Sequence, residues 1–244
     1  MATKVIDVSK YQGTIDWPKV KAAGIAGAII RCGYCNRDGS ITADPYFKRN
    51  MVGATAAGVP VGVYVYSYSR DVQGAKIAAQ NVLKMVAPYK LEYPLVWDYE
   101  NSSIAKTLGK ATNTAICKAA LEVWEQAGYY AMLYSYKSFV GSYLHMDELA
   151  AYDFWLAHYT SKTNYTGHYG MWQYTSSGSV PGISGRVDMN HCYRDYPALI
   201  RGAGLNGWAD PVKLVTYKVG PLSAGDAKKV KALAAEMQVD CVEV

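Results

Sequence analysis

Short runs of consecutive apolar residues recur along this chain, separated by stretches in which apolar residues return every three or four positions. The runs are VIDV at 5–8, GAIIR at 27–31, VGVYVYSY at 61–68, PLVWDYE at 94–100, YYAMLYS at 129–135, FWLAHY at 154–159, GMWQY at 170–174 and VDMN at 187–190. Runs of this length, rich in β-branched and aromatic residues and bounded by Gly and Pro, predict buried strands. Helical patterns lie between them around 17–23, 45–57, 72–86 and 112–127, with a short one near 139–144, and no long one falls between the later strands. Strand and helix in alternation predict a parallel sheet with helical crossovers, an α/β fold. Eight strands suggest a closed TIM-like barrel with about five helices, a (β/α)5(β)3 arrangement whose final third is poor in helix. An open doubly wound sheet is the alternative.

After residue 203 the pattern changes. AGLNGWADP at 203–211 reads as turn and linker. VKLVTYKV at 212–219 alternates apolar and polar, Ser223 can cap a helix running to Met237, and VDCVEV at 239–244 reads as a second strand. The chain thus divides into a domain over 1–203, a linker over 204–211 and a small βαβ segment over 212–244. A segment this short buries too little surface to be stable alone. Its apolar face, with the helical stripe Ala227, Val230, Leu233, Ala234 and Met237, predicts a homodimer through 212–244; docking on the barrel's flank and a truncated binding domain are the rivals.

Composition adds exclusions. Half of the 244 residues are apolar and the net charge is only +5, so the chain is globular rather than disordered. Residues 204–244 hold five Lys against five Asp and Glu, which leaves the whole positive excess in 1–203 and suits an anionic partner. No run of 18 uncharged apolar residues exists, so no membrane insertion is expected. MATKVIDVSK carries no apolar stretch ahead of a cleavage site, so no secretory signal is expected. Neither GxGxxG nor a Walker pattern follows a strand, and no nucleic-acid partner is expected. Five Cys are thinly spread; Cys32 and Cys35 form a CxxC without a second Cys or His pair at zinc spacing, so reduced thiols and no metal are expected. Tyr supplies 22 aromatics, Trp 6 and Phe only 3. Tyr and Trp combine a flat apolar face with a polar handle, which points to a wet, aromatic-lined groove.

The acids carry the chemistry. Asp7 ends the first strand, Asp98 and Glu100 the fourth, and Asp188 the last. In a parallel barrel the C-terminal strand ends carry the active site. Asp98 and Glu100, two apart, share one face of their strand, and carboxylates so close cannot ionise independently. One proton-bearing acid beside one anion is what glycoside hydrolysis requires: the acid for the leaving oxygen, the anion for the charge developing on the sugar ring. That chemistry needs no cofactor.

The segments VIDVSKYQG, DYE at 98–100, LYS at 133–135, FWLAHY, WQY at 172–174 and GRVDMN at 185–190 resemble the family 25 glycoside hydrolases, the muramidase type of lysozyme. They occur in that family's order over residues 4 to about 200, and the resemblance does not extend to 204–244. It implies an eight-stranded barrel and cleavage of the β-1,4 bond between N-acetylmuramic acid and N-acetylglucosamine in peptidoglycan. It implies Glu100 as general acid, Asp98 as partner carboxylate, and Asp7 and Asp188 as acids flanking the cleft. Tyr64 and Tyr134 match tyrosines near the reacting sugar, and Trp155 and Trp172 match aromatic walls. Val65 stands where relatives often carry His, which leaves open which of Tyr64, Tyr66 and Tyr68 faces the sugar. The alternatives are a non-catalytic wall-binding protein and a chitinase-like barrel hydrolase. Without a signal peptide, the expected setting is that of a phage endolysin made in the host cytoplasm and released to the wall, ahead of a secreted autolysin.

Overall fold

A computed structural model describes residues 2–208 and 220–236. The chain divides into two compact units, Met1–Ala209 and Asp210–Val244. In the first unit the described strands are β1 (Thr3–Val8), β2 (Gly27–Cys35), β3 (Ile41–Ala43), β4 (Val61–Ser67), β5 (Leu95–Asp98), β6 (Ala131–Tyr136), β7 (Asp153–Ala157), β8 (Met171–Gly178) and β9 (Val187–Cys192). Its helices are α1 (Trp17–Ala22), α2 (Phe47–Ala56), α3 (Val72–Val86), α4 (Ser102–Gln126), α5 (Lys137–Tyr143) and α6 (Tyr196–Gly202). The sheet runs β1-β9-β8-β7-β6-β5-β4-β2, and a β1–β2 pairing closes it into a barrel.

The barrel is mixed, which corrects the expectation of an all-parallel TIM-like arrangement. β9 pairs antiparallel with both β8 and β1. The cause is loop length: only residues 179–186 separate β8 from β9, and a parallel crossover needs a dozen residues or more. β3 is an addition, a short strand antiparallel to the end of β2. It grows from the Asp38-Gly39 turn, where Gly39 takes φ +83°. Gly33 is required opposite it, because a Cβ there would lie 2.3 Å from the Thr42 carbonyl oxygen. The CxxC therefore lies along β2. Among the described residues Cys32, Cys35, Cys117 and Cys192 are buried free thiols, and burial pushes the Cys32 and Cys35 thiols up.

Helices start where short polar side chains accept backbone N–H groups: Asp16 from Lys19, Asp71 from Gly74, Asn101 from Ile104 and Asp195 from Ala198. The core has two layers. Val5, Ile29, Val96, Met132, Trp155 and Met171 fill the barrel interior, while Ile6, Ile30, Trp97, Leu133 and Leu156 face outward into the surrounding shell. That alternation assigns each strand residue to a layer.

Residues 204–208, expected as linker, are tied into the first unit. Asn206 Nδ2 donates to the Tyr93 carbonyl at 3.0 Å, its Oδ1 accepts from Tyr130 N–H at 2.7 Å, and Trp208 Nε1 donates to the Leu91 carbonyl at 3.0 Å. In the second unit α7 (Ala224–Glu236) follows Ser223, whose hydroxyl accepts from Asp226 N–H. The two strands expected at 212–219 and 239–244, and the dimer face built on them, lie outside the described residues. Among the described residues no helix is long and apolar enough to cross a membrane, and no His, Cys, Asp and Glu cluster could hold a metal ion.

Candidate active site

The interior positions of the barrel decide which acids meet. Asp7 shares the inward face of β1 with Val5, and Asp98 that of β5 with Val96. Asp188 is the second residue of β9 rather than the end of a parallel strand, and the reversal of β9 puts it opposite Asp7 in register. Glu100 stands between the end of β5 and the Asn101 cap of α4. Tyr99 between the two acids turns the other way; it is buried, and its hydroxyl donates to Asn113 Oδ1 at 2.7 Å. This pins the DYE segment with both carboxylates facing the mouth.

Asp7, Asp98, Glu100 and Asp188 all line one cavity of about 360 Å³, together with Tyr11, Arg31, Tyr34, Tyr64, Tyr66, Tyr68, Tyr134, Trp155, Tyr159 and Gln173. Tyr64, Tyr66 and Tyr68 share one face of the β4 segment, so all three reach it. A second cavity of about 550 Å³ adjoins at Glu100, Tyr134 and Tyr159. Trp172 lines neither. It lies on the outward face of β8 in the core, and its Nε1 donates to the His158 carbonyl at 2.8 Å. It packs in the core, and the structure does not bring it to either of these cavities. Its neighbour Gln173 points inward instead.

Gln173 is the hub of the site. Its Nε2 donates to Asp7 Oδ2 at 2.9 Å, and its Oε1 accepts from the hydroxyls of Tyr134 at 2.8 Å and Tyr159 at 2.9 Å. Asn190 Nδ2 also donates to Asp7 Oδ2, at 2.8 Å, while its Oδ1 accepts from Trp155 Nε1 at 2.7 Å. Trp155 is flanked edge-on by Tyr134 and Tyr64. Asp98 differs: its Oδ1 is buried with no hydrogen-bond partner. Arg31, on β2, is buried and held by Asp44, with Nε at 2.9 Å and Nη2 at 2.7 Å from Oδ2, and its guanidinium lies 4.5 Å from the Tyr34 ring centre.

Four acids in one cavity cannot all be charged. Burial lifts Glu100 to about 7, with the Asp188 charge adding to it. Burial lifts Asp188 to about 6. Asp98 is pushed well up by burial, then by Glu100 and Asp7, and Arg31 pulls it back. Asp7 is pushed up by burial and by Asp188, against the two amide hydrogen bonds that favour its anion. The cluster holds protons at neutral pH and can deliver one from Glu100.

Arg31, Tyr11, Tyr34, Tyr159 and Gln173 were not among the expected site residues, and Tyr68 was one of the three tyrosines left open. The sequence does carry a signal for Gln173: parity opposite to Trp172 puts it on the inward face of β8 with Met171. Arg31 carries the same signal, since it shares parity with inward-facing Ile29 and the irregularity of β2 falls only after it, between Arg31 and Gly33.

Comparison with known proteins gives a consistent picture. The sequence model described as glycosyl hydrolases family 25 matches residues 6–183. The uncharacterized protein YegX of Escherichia coli K12 is 29% identical over 192 residues, covering 76% of this chain and 67% of its own length. Lysozyme M1 of Streptomyces globisporus is 29% identical over 208 residues, covering 76% of this chain and 66% of that protein. Among solved structures, the modular autolysin LytC of Streptococcus pneumoniae superimposes with a TM-score of 0.70 at 32% identity, over 79% of this chain. This chain spans only 47% of LytC, which has also been solved with a synthetic peptidoglycan ligand.

Proposed function

The chain belongs to family 25 of the glycosyl hydrolases, and on that premise we propose that it is an N-acetylmuramidase, cleaving the β-1,4 bond between N-acetylmuramic acid and N-acetylglucosamine in bacterial peptidoglycan. The observation that carries the reading is the pairing of Glu100, lifted to about 7, with Asp98, whose Oδ1 has no donor. Glu100 gives its proton to the glycosidic oxygen as the C1–O bond breaks. Positive charge then develops on the ring of the glycone, and the carboxylates lining the smaller cavity offset it. Asp98 Oδ1 is a ready acceptor for the N–H of the substrate's 2-acetamido group. Held so, the acetamido oxygen attacks C1, and the anionic Glu100 afterwards takes a proton from the water that opens the ring so formed. Configuration at C1 is retained. Asp7, fixed by Gln173 and Asn190, shapes the floor without leaving an open oxygen at its Oδ2.

In this reading the partner is peptidoglycan and the place of action is the wall, reached after release from the producing cell as for an endolysin. The test is loss of turbidity of purified walls, with the new reducing ends identified by borohydride reduction. Muramitol supports the assignment. Glucosaminitol, or cleavage of chitin oligomers at a comparable rate, would replace it with a chitinase-like activity, and binding without new ends would leave a wall-binding protein.

A further inference from the structure

Two amides of the site are fixed in direction by the groups around them. The Trp155 indole N–H can only donate, so Asn190 turns its oxygen to it and its Nδ2 to Asp7 Oδ2 at 2.8 Å and the Val5 carbonyl at 3.2 Å. Gln173 Nε2 donates to the same Asp7 oxygen at 2.9 Å. With Oδ2 accepting from two amides, a proton on Asp7 has to sit on Oδ1, so Gln173 keeps Nε2 on this side in either state. Its Oε1 then faces Tyr134 Oη at 2.8 Å and Tyr159 Oη at 2.9 Å. A carbonyl oxygen donates nothing, so both hydroxyls donate to it and fill its two lone pairs. Each tyrosine has one proton, and Gln173 holds it. Those rings stand where the reaction does: Glu100, Tyr134 and Tyr159 line both cavities, so a bond protonated by Glu100 lies beside them. Tyr134 is buried, with its ring set edge-on against Trp155. Burial, then the Glu100 and Asp98 charges, push its hydroxyl up, so it stays a neutral phenol.

We propose that Gln173 is a positioning residue of the reaction: it commits the Tyr134 proton to the barrel wall, so that the phenol oxygen meets the glycan as an acceptor, turned towards the positive charge that grows on the sugar ring. The inference rests on the reading of Glu100 as the acid. A Tyr134 free to turn would donate to the bound glycan, and its dipole would then oppose the developing charge until the hydroxyl swung back. Fixing the dipole beforehand removes that reorganisation, and it favours the charged species without tightening the hold on the neutral substrate. The contribution of Gln173 therefore falls on kcat and passes through Tyr134.

The test measures kcat and KM on soluble wall glycan for wild type, Gln173→Met, Tyr134→Phe and the double variant, each folded by circular dichroism. Gln173→Met should lower kcat by about tenfold to a hundredfold, less than the loss of a donor from an oxyanion hole. KM should change by less than about threefold, since the interaction is made in the transition state. In the Tyr134→Phe background the same substitution should cost little more, because the proton that Gln173 holds is gone. Gln173→Glu gives a second readout. While protonated, the new carboxyl keeps a donor for Asp7 and an acceptor for the tyrosines, so its kcat relative to wild type should be highest at low pH. Once ionised it meets Asp7, with Asp188 beyond, as a further negative charge, and the ratio should fall as the pH rises. Losses from Gln173→Met and Tyr134→Phe that simply multiply would overturn the proposal, because Gln173 would then act through Asp7 or through packing. So would a loss confined to KM, or a Gln173→Glu ratio that is constant between about pH 5 and pH 8. Turnover retained by Glu100→Gln would overturn the acid assignment beneath it instead, so the two failures are distinct.

Discussion

Replacing Glu100 with Gln should remove activity and raise stability together, and the stability gain should depend on pH. In the folded chain burial and the Asp188 charge lift this carboxyl from its ordinary 4.5 to about 7. The folded state thus binds the proton more tightly than the unfolded state does. Below about 4.5 the group is protonated in both states and costs nothing. Between about 4.5 and 7 the unfolded chain ionises while the folded one does not, and stability falls. Above about 7 the whole penalty is present. A shift of this size corresponds to about 3 kcal/mol, at about 1.4 kcal/mol per pH unit. Gln keeps the shape and deletes the charge, and among the described residues the Glu100 side chain makes no hydrogen bond that Gln would forfeit. For a chain of this size about 3 kcal/mol corresponds to a Tm rise of about 6–12 °C at pH 8, shrinking towards zero at pH 4. Loss of the transferable proton should lower kcat by about 10²–10⁴.

Thermal melts of wild type and Glu100→Gln at pH 4, 6 and 8, with turnover measured on the same preparations, check both halves. A Tm difference independent of pH would refute the argument that an ionised, desolvated Glu100 destabilises the fold. More than half the activity retained would refute its assignment as the acid.

Asp98→Asn should lower kcat by about 10²–10⁴ with the fold intact, because the developing ring charge loses its anion; a mild effect alongside a lethal Asp7→Asn would move the partner role to Asp7. The pH profile of kcat/KM should be bell-shaped, falling above about 7 as Glu100 loses its proton and below about 6 as Asp188 gains one. Asp188→Asn should move the alkaline limb to lower pH, since the Asp188 charge helps hold the proton on Glu100; an unmoved limb would refute that coupling. Gly27→Ala should destabilise the barrel by about 1–3 kcal/mol in denaturant titration, because its Cβ would lie 2.3 Å from the Tyr93 ring.

The first two thirds of the barrel were legible because apolar runs and helical patterns alternate there with short punctuation, and each acid interrupts a run that otherwise has no place for one. The reversal of β9 was also within reach: PGISG at 181–185 lies in a link too short for a crossover. Reading VDMN as one more parallel strand put Asp188 at the wrong end of its strand yet at the right end of the barrel. β3 was masked because CGYCNRDGSITA at 32–43 stands out for its CxxC rather than for its Asp-Gly hairpin signal. Trp172 was assigned from the family resemblance, while its parity opposite to Gln173 argued for the outside. The Arg31–Asp44 pair had no local signature, since a buried ion pair between β2 and the start of α2 exists only once the chain has folded.

A second buried acid in the same barrel separates function from support. Asp153 begins β7 on its inward face, near the opposite end of the strands from the cavity. Its Oδ2 accepts from Arg194 Nη1 at 2.8 Å, Tyr196 Oη at 2.8 Å and Tyr130 Oη at 3.1 Å, and its Oδ1 from Phe154 N–H at 2.9 Å. Both oxygens are satisfied, with a cation in contact, as a structural carboxylate requires. Asp98 has comparable burial but an Oδ1 without a donor, and acids rather than a paired cation for near neighbours. Packing alone does not favour that arrangement, because the open oxygen and the shared protons both raise the energy of the free enzyme. A ligand carrying an N–H and a developing positive charge relieves both at once. The mouth of the barrel is therefore less comfortable empty than occupied, and most comfortable around the charged species that lies between substrate and product.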